Sequence, residues 1–112
     1  MSEYEELQNR IKDFCDRRDW SQFHDPKNLA ISLNLESAEV LELFQWTKDN
    51  KIKPERADKI ESELADVFYW LIIMAQHYEL DLIKSLDKKM DENEEKYPIE
   101  KFKGNSSKYN EL

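Results

Sequence analysis

One glycine and three prolines are the only strong helix breakers in 112 residues. A chain so rarely interrupted, and rich in Glu, Lys and Leu, is driven toward long helices. The prolines sit where they start helices rather than break them. Asp25-Pro26 reads as an N-cap followed by the first helical position, and Pro54 suits another first turn. Ser2 with Glu5 can cap a first helix that carries Tyr4, Leu7, Ile11, Phe14 and Arg18 on one face and ends near Asp19. A second helix is expected from Pro26 to about Lys48, followed by polar turn residues Asp49, Asn50 and Lys51. A third, the most apolar, runs from Pro54 to about Tyr78 through Ile60, Leu64, Val67, Leu71, Met74 and Ala75. Asp81 caps a fourth to about Lys96, with Leu82, Leu86 and Met90 in one stripe. Pro98 and Gly104 mark residues 97–112 as an irregular tail. The expected fold class is all-α, most simply a four-helix bundle forming one domain over residues 1–112.

Charge narrows the partners. With 17 basic and 25 acidic residues the formal charge is −8, so a polyanion can be held only by a local basic patch or through bound cations, and broad binding to a nucleic acid polymer is not expected. Cys15 is the single cysteine, so no internal disulfide forms, and a small core residue is its expected role. The opening residues lack the basic and then apolar order of a secretion signal. The longest apolar run, Val67 to Ala75, is nine residues, too short to span a bilayer. A cytoplasmic location without membrane contact is expected.

The acidic residues are not distributed as plain surface charge. At about 100° per residue, Leu29, Leu33, Val40 and Leu43 all fall within about 60° of Glu36 on the second helix, with Glu39 at the edge of the same arc. The third helix repeats the pattern: Ile60, Val67, Trp70 and Met74 surround Glu63, and Asp66 takes the edge. Each helix thus carries an acidic i,i+3 pair in its apolar stripe, pointed toward the core. Buried carboxylates need a counter-charge, and Arg56 and Lys59, near the start of the third helix, are the obvious cations nearby. A divalent metal ion answers the need. An all-oxygen donor set selects Mg²⁺, with Mn²⁺ as a substitute, over zinc, and neither His24 nor His77 stands three residues from a carboxylate. Glu42 falls off the stripe and is left outside the ligand set.

Mg²⁺ on carboxylates with spare water positions is a usual partner of phosphate esters. Trp20, Trp46 and Trp70 offer faces on which a base can stack. On the fourth helix Lys89 and Asn93 are one turn apart and, with Lys96, can meet phosphate oxygens.

These residues resemble a known family, the all-alpha nucleoside triphosphate pyrophosphatases, or MazG-like proteins, and within it the dCTP pyrophosphatase branch. The resemblance runs through Arg18-Asp19-Trp20-Ser21-Gln22-Phe23-His24, Glu36-Ser37-Ala38-Glu39, Glu42-Leu43-Phe44-Gln45-Trp46, Glu63-Leu64-Ala65-Asp66-Val67, Lys96-Tyr97-Pro98 and Lys108-Tyr109. It implies Mg²⁺-dependent cleavage of a (d)NTP, dCTP or a modified dCTP, to a monophosphate and pyrophosphate, in nucleotide-pool house-cleaning. Glu36, Glu39, Glu63 and Asp66 would bind the metal, and a glutamate, with Glu39 the candidate, would take a proton from the attacking water. Trp20 and Trp46 would help form the base pocket. It also implies assembly into homodimers or homotetramers. Ile11 and Trp70 depart from the branch, which carries His and Tyr there, so strict cytosine selection loses its hydrogen-bonding groups. A competing reading is a catalytically silent helical oligomer that binds nucleotide or a protein partner around a structural cation.

Overall fold

The structure, a computed structural model, describes residues 1–106. The Lys108-Tyr109 landmark lies outside the described residues. The elements are α1 (Glu3–Arg17), a 3-10 turn (Ser21–Phe23), α2 (Pro26–Glu42), a second 3-10 turn (Pro54–Arg56), α3 (Lys59–His77), α4 (Leu82–Lys96) and the short α5 (Ile99–Phe102). No strand occurs among the described residues, so the all-α expectation stands. The chain forms two compact units, Met1–Glu79 with α1 to α3 and Leu80–Leu112 with α4 and α5. No helix among the described residues is long and apolar enough to cross a membrane.

Helix starts follow local chemistry. Ser2 Oγ accepts from the Glu5 amide at 3.1 Å, Asp25 Oδ1 from the Asn28 amide at 2.8 Å, and Asp81 Oδ1 from the Ile83 and Lys84 amides, both at 3.1 Å. Helix ends depart from expectation. The second helix stops at Glu42 rather than near Lys48, because Arg56 Nη1 donates to the carbonyls of Glu42 at 3.0 Å and Gln45 at 3.3 Å. The chain there tightens into i,i+3 hydrogen bonds, and Trp46 adopts a left-handed φ of 66°. The third helix starts at Lys59, five residues later than Pro54 suggested, since Pro54 opens a separate 3-10 turn. Within the stretch read as an irregular tail, Ile99–Phe102 is helical, and Tyr97 packs edge-on to Phe102 at 4.9 Å.

In the first unit α3 packs along α2 and also meets α1. The core is Ile11, Cys15, Leu29, Ile72 and Ile73, with Tyr4, Phe14, Tyr69, Trp70 and Met74 against it. Cys15 is buried as expected, 3.5 Å from the Tyr69 hydroxyl. The α3 stripe is turned from its expected phase: Ile72, Ile73 and Ala75 are buried, whereas Leu64 and Leu71 are exposed. A helix apolar on nearly every side gives periodicity little to choose between. Ile72 is 0% exposed. Ile72→Ala is therefore expected to lower unfolding free energy by about 2–5 kcal/mol, read as a lower urea midpoint. A loss under about 1 kcal/mol would show that the site lacks the close packing of a core position.

Candidate metal centre

The packed pair α2 and α3 positions the acidic residues. Glu36 and Glu39 are one turn apart on α2, and Glu63 and Asp66 one turn apart on α3. One oxygen from each of the four lies within 4.8 Å of the others. The first member of each pair is half-buried and the second exposed. This corrects the expectation that all four point into the core: a residue about 60° off the centre of a buried stripe reaches its rim. Glu36 Oε2 and Glu63 Oε2 are buried without a hydrogen-bond partner.

Four carboxylates this close cannot all ionise cheaply. Burial, a hydrogen bond with Glu39 and the charges of Glu39, Asp66 and Glu63 raise the Glu36 carboxyl from 4.5 to about 7. A hydrogen bond with Glu39, burial and the charges of Glu39 and Asp66 raise Glu63, with Lys59 pulling the other way. Two buried orphan oxygens in an all-oxygen donor set fit a hard divalent cation, which supplies the missing positive charge. The group is thus one that could hold a metal ion.

Two cavities include cluster residues in their linings. One of about 500 Å³ is bounded by Ile11, Phe14, Trp20, Phe68 and Tyr69, with Asp66 in its wall. Another, of about 370 Å³, contains Glu39 and Glu63 together with Glu42, Gln45, Arg56 and Lys59. Trp20 and Trp70 come together in a third, of about 340 Å³, with Phe23, His24, Asn28 and Ser32. His24 stacks edge-on to Trp70 at 5.9 Å, and burial followed by the charge of His77 lowers its pKa.

The remaining candidates are placed differently. Trp46 is 80% exposed and lines none of these three cavities. Lys89, Asn93 and Lys96 lie on α4, in the second unit, where Lys89 pairs with Glu92 at 3.4 Å. Sequence reasoning did not single out His24, Asn28, Ser32 or Tyr69 as cavity residues. For Asn28 and Ser32 a signal existed in their i,i+4 spacing on α2.

Comparison with known proteins bears on the same residues. The MazG-like family matches residues 31–112, a span that includes both acidic pairs. dCTP pyrophosphatase 1 of Mus musculus is 37% identical, the alignment covering 96% of this chain and 66% of that protein. The Homo sapiens protein of the same name is 38% identical, with 96% and 66% covered. The chain therefore spans just under two thirds of the length of these curated relatives. The crystal structure of a pyrophosphatase from Archaeoglobus fulgidus superposes with a TM-score of 0.78 at 37% identity, covering 88% of this chain and 94% of that one. A family match across most of the chain, with a solved relative matched nearly end to end, leads to one conclusion: the chain belongs to the MazG-like family.

Proposed function

We propose that this protein is a Mg²⁺-dependent nucleoside triphosphate pyrophosphohydrolase, which cleaves between the α- and β-phosphates and serves nucleotide-pool house-cleaning. The observation that carries the reading is the convergence of Glu36, Glu39, Glu63 and Asp66 with two orphaned buried oxygens. These four carboxylates hold the cation, with Mn²⁺ as an alternative. When bound, it offsets charge on the phosphoryl oxygens and orients and acidifies a water. Glu39 lines the polar cavity beside Glu63 and lies within 4.8 Å of the other three carboxylates, a position from which a carboxylate takes the proton of the attacking water. The water oxygen bonds to the α-phosphorus as its bridge to the β-phosphate breaks, and pyrophosphate leaves.

The base enters the apolar cavity, where Trp20 and Phe14 meet edge-to-face at 5.5 Å and Asp66 links the wall to the cluster. The relatives' name supports dCTP or a modified dCTP as substrate. Ile11 gives this wall no hydrogen bond, which leaves discrimination among pyrimidines to the other residues of the lining. Trp70 joins Trp20 at the neighbouring cavity, while Trp46, Lys89, Asn93 and Lys96 contribute in an assembled homodimer or homotetramer. Exposed Ile31, Leu35 and Leu41 on α2 support such assembly.

The test incubates the protein with Mg²⁺ and a panel of natural and 5-substituted (d)NTPs. The expected products are monophosphate and pyrophosphate in equal amounts. Binding without any turnover would favour the silent oligomer, and release of single phosphates would overturn α–β cleavage.

A further inference from the structure

The wall of the apolar cavity is nearly without hydrogen-bonding side chains. Besides Asp66, which belongs to the acidic cluster, its lining includes two, Trp20 and Tyr69. Trp70, where the dCTP pyrophosphatase branch carries tyrosine, lines the neighbouring cavity instead, so the hydroxyl available here comes from a different position. Tyr69 is half-buried, and its ring is fixed from two sides, edge-on to Phe14 at 6.4 Å and to Trp70 at 5.2 Å. It stands one turn beyond Asp66 on α3, roughly 5 Å along the helix axis. That step is comparable with the sugar that separates a base from its α-phosphate.

Among the described residues the partner of the Tyr69 hydroxyl is Cys15, whose Sγ lies 3.5 Å away, and either atom can donate. Cys15 is 3% exposed, so water does not compete at the sulfur. Burial, followed by the contact with Cys15, raises the Tyr69 pKa, and the group stays a neutral hydroxyl. A thiol sulfur accepts weakly, whereas a ring nitrogen or carbonyl oxygen accepts well. With a base present, the favoured arrangement has the Cys15 S–H donating to the phenol oxygen and the phenol O–H donating to the base. We propose that Tyr69, held as a donor by Cys15, reads the base at ring nitrogen N3, an acceptor in cytosine and an N–H donor in uracil and thymine. Cytosine completes the hydrogen bond, while uracil sets donor against donor and leaves both unpaired. The pair supplies the discrimination that Ile11 does not.

The placement of the base rests on the pyrophosphohydrolase reading, so the test includes a measurement independent of turnover. Non-hydrolysable α,β-imido triphosphates of deoxycytidine, deoxyuridine and 3-deazadeoxycytidine, which has C–H in place of N3, are titrated calorimetrically with Mg²⁺ into the wild type, Tyr69→Phe and Cys15→Ala. Circular dichroism checks the fold of both variants. The wild type binds the deoxycytidine analogue tighter than either of the others by about tenfold or more. Tyr69→Phe keeps the ring and brings the three within about twofold of one another. Cys15→Ala frees the hydroxyl to turn and accept from N3–H, so the deoxyuridine analogue gains on the deoxycytidine one while the 3-deaza analogue stays weak. In turnover, Tyr69→Phe lowers the ratio of kcat/KM for dCTP over dUTP in parallel. A wild type that binds the 3-deaza analogue as tightly as the deoxycytidine one overturns the proposal, whether or not the variants fold. So does Tyr69→Phe with all three analogues weakened equally, which would mark a packing role alone. If the wild type cleaves no triphosphate, the reading of function fails, and the titrations still decide the role of Tyr69.

Discussion

Glu63→Gln abolishes pyrophosphate release, by on the order of 10³-fold or more, while leaving the helical fold intact. Glu63 contributes a carboxylate to the cluster and has one buried oxygen with no partner. Replacing the carboxylate with an amide removes an anionic metal ligand and puts a donor N–H₂ where only acceptors are useful. Stability moves the other way. The hydrogen bond with Glu39, burial and adjacent charges raise the Glu63 pKa, so the ionised form is disfavoured in the fold, and the neutral amide removes that penalty. Without divalent cation the variant therefore melts above the wild type at neutral pH. Calorimetric titration with Mg²⁺, a pyrophosphate assay and thermal melts followed by circular dichroism read the three effects. Activity within tenfold of the wild type would remove Glu63 from the metal site.

Removing divalent cations with a chelator abolishes turnover and makes thermal stability fall as pH rises toward about 7. The Glu36 carboxyl is raised from 4.5 to about 7 by burial first, then by its hydrogen bond with Glu39 and the charges around it. Between those values the folded state keeps a proton that the unfolded state has released, so stability declines with rising pH across that window and levels above it. The upward shift of Glu63 acts in the same sense. His24 opposes them: burial and His77 hold its pKa below 6.5, so its contribution grows as pH rises through its folded value toward 6.5. Glu36→Gln is the control that keeps the His24 contribution and removes that of Glu36, and its profile is flatter or rising. Mg²⁺ binds the ionised carboxylates and offsets the decline, most strongly above pH 7, where no proton need be displaced. At 100 times its dissociation constant it adds about 2.7 kcal/mol, a rise in Tm on the order of 10 °C. A chelated wild type whose Tm is the same as that of Glu36→Gln across pH 5–8 would refute this account.

The helix starts and the acidic pairs were legible because they depend on neighbours a few residues away. Ser2, Asp25 and Asp81 each cap within three residues. The i,i+3 spacing of Glu36 with Glu39, and of Glu63 with Asp66, follows from the helical period alone. The end of α2 was not legible. Its carbonyls are taken by Arg56, 14 residues beyond Glu42, and no local pattern announces that bond. The phase of α3 was equally hidden, since Val67 to Ala75 is apolar all round and only packing against α1 and α2 decides that Ile72 turns inward and Leu71 outward.

The same division runs through the site. By itself the sequence determined an all-helical chain with two acidic pairs on apolar faces, because caps, periodicity and breakers act over one or two turns. Tertiary structure alone decided that the two pairs meet within 4.8 Å, that Glu36 and Glu63 each bury an oxygen while Glu39 and Asp66 stay at the rim, and that Arg56 and Lys59 share a cavity with Glu39 and Glu63. Those facts depend on the separation and rotation of two packed helices. The burial and mutual repulsion that make four carboxylates a metal-binding group arise only once the helices meet.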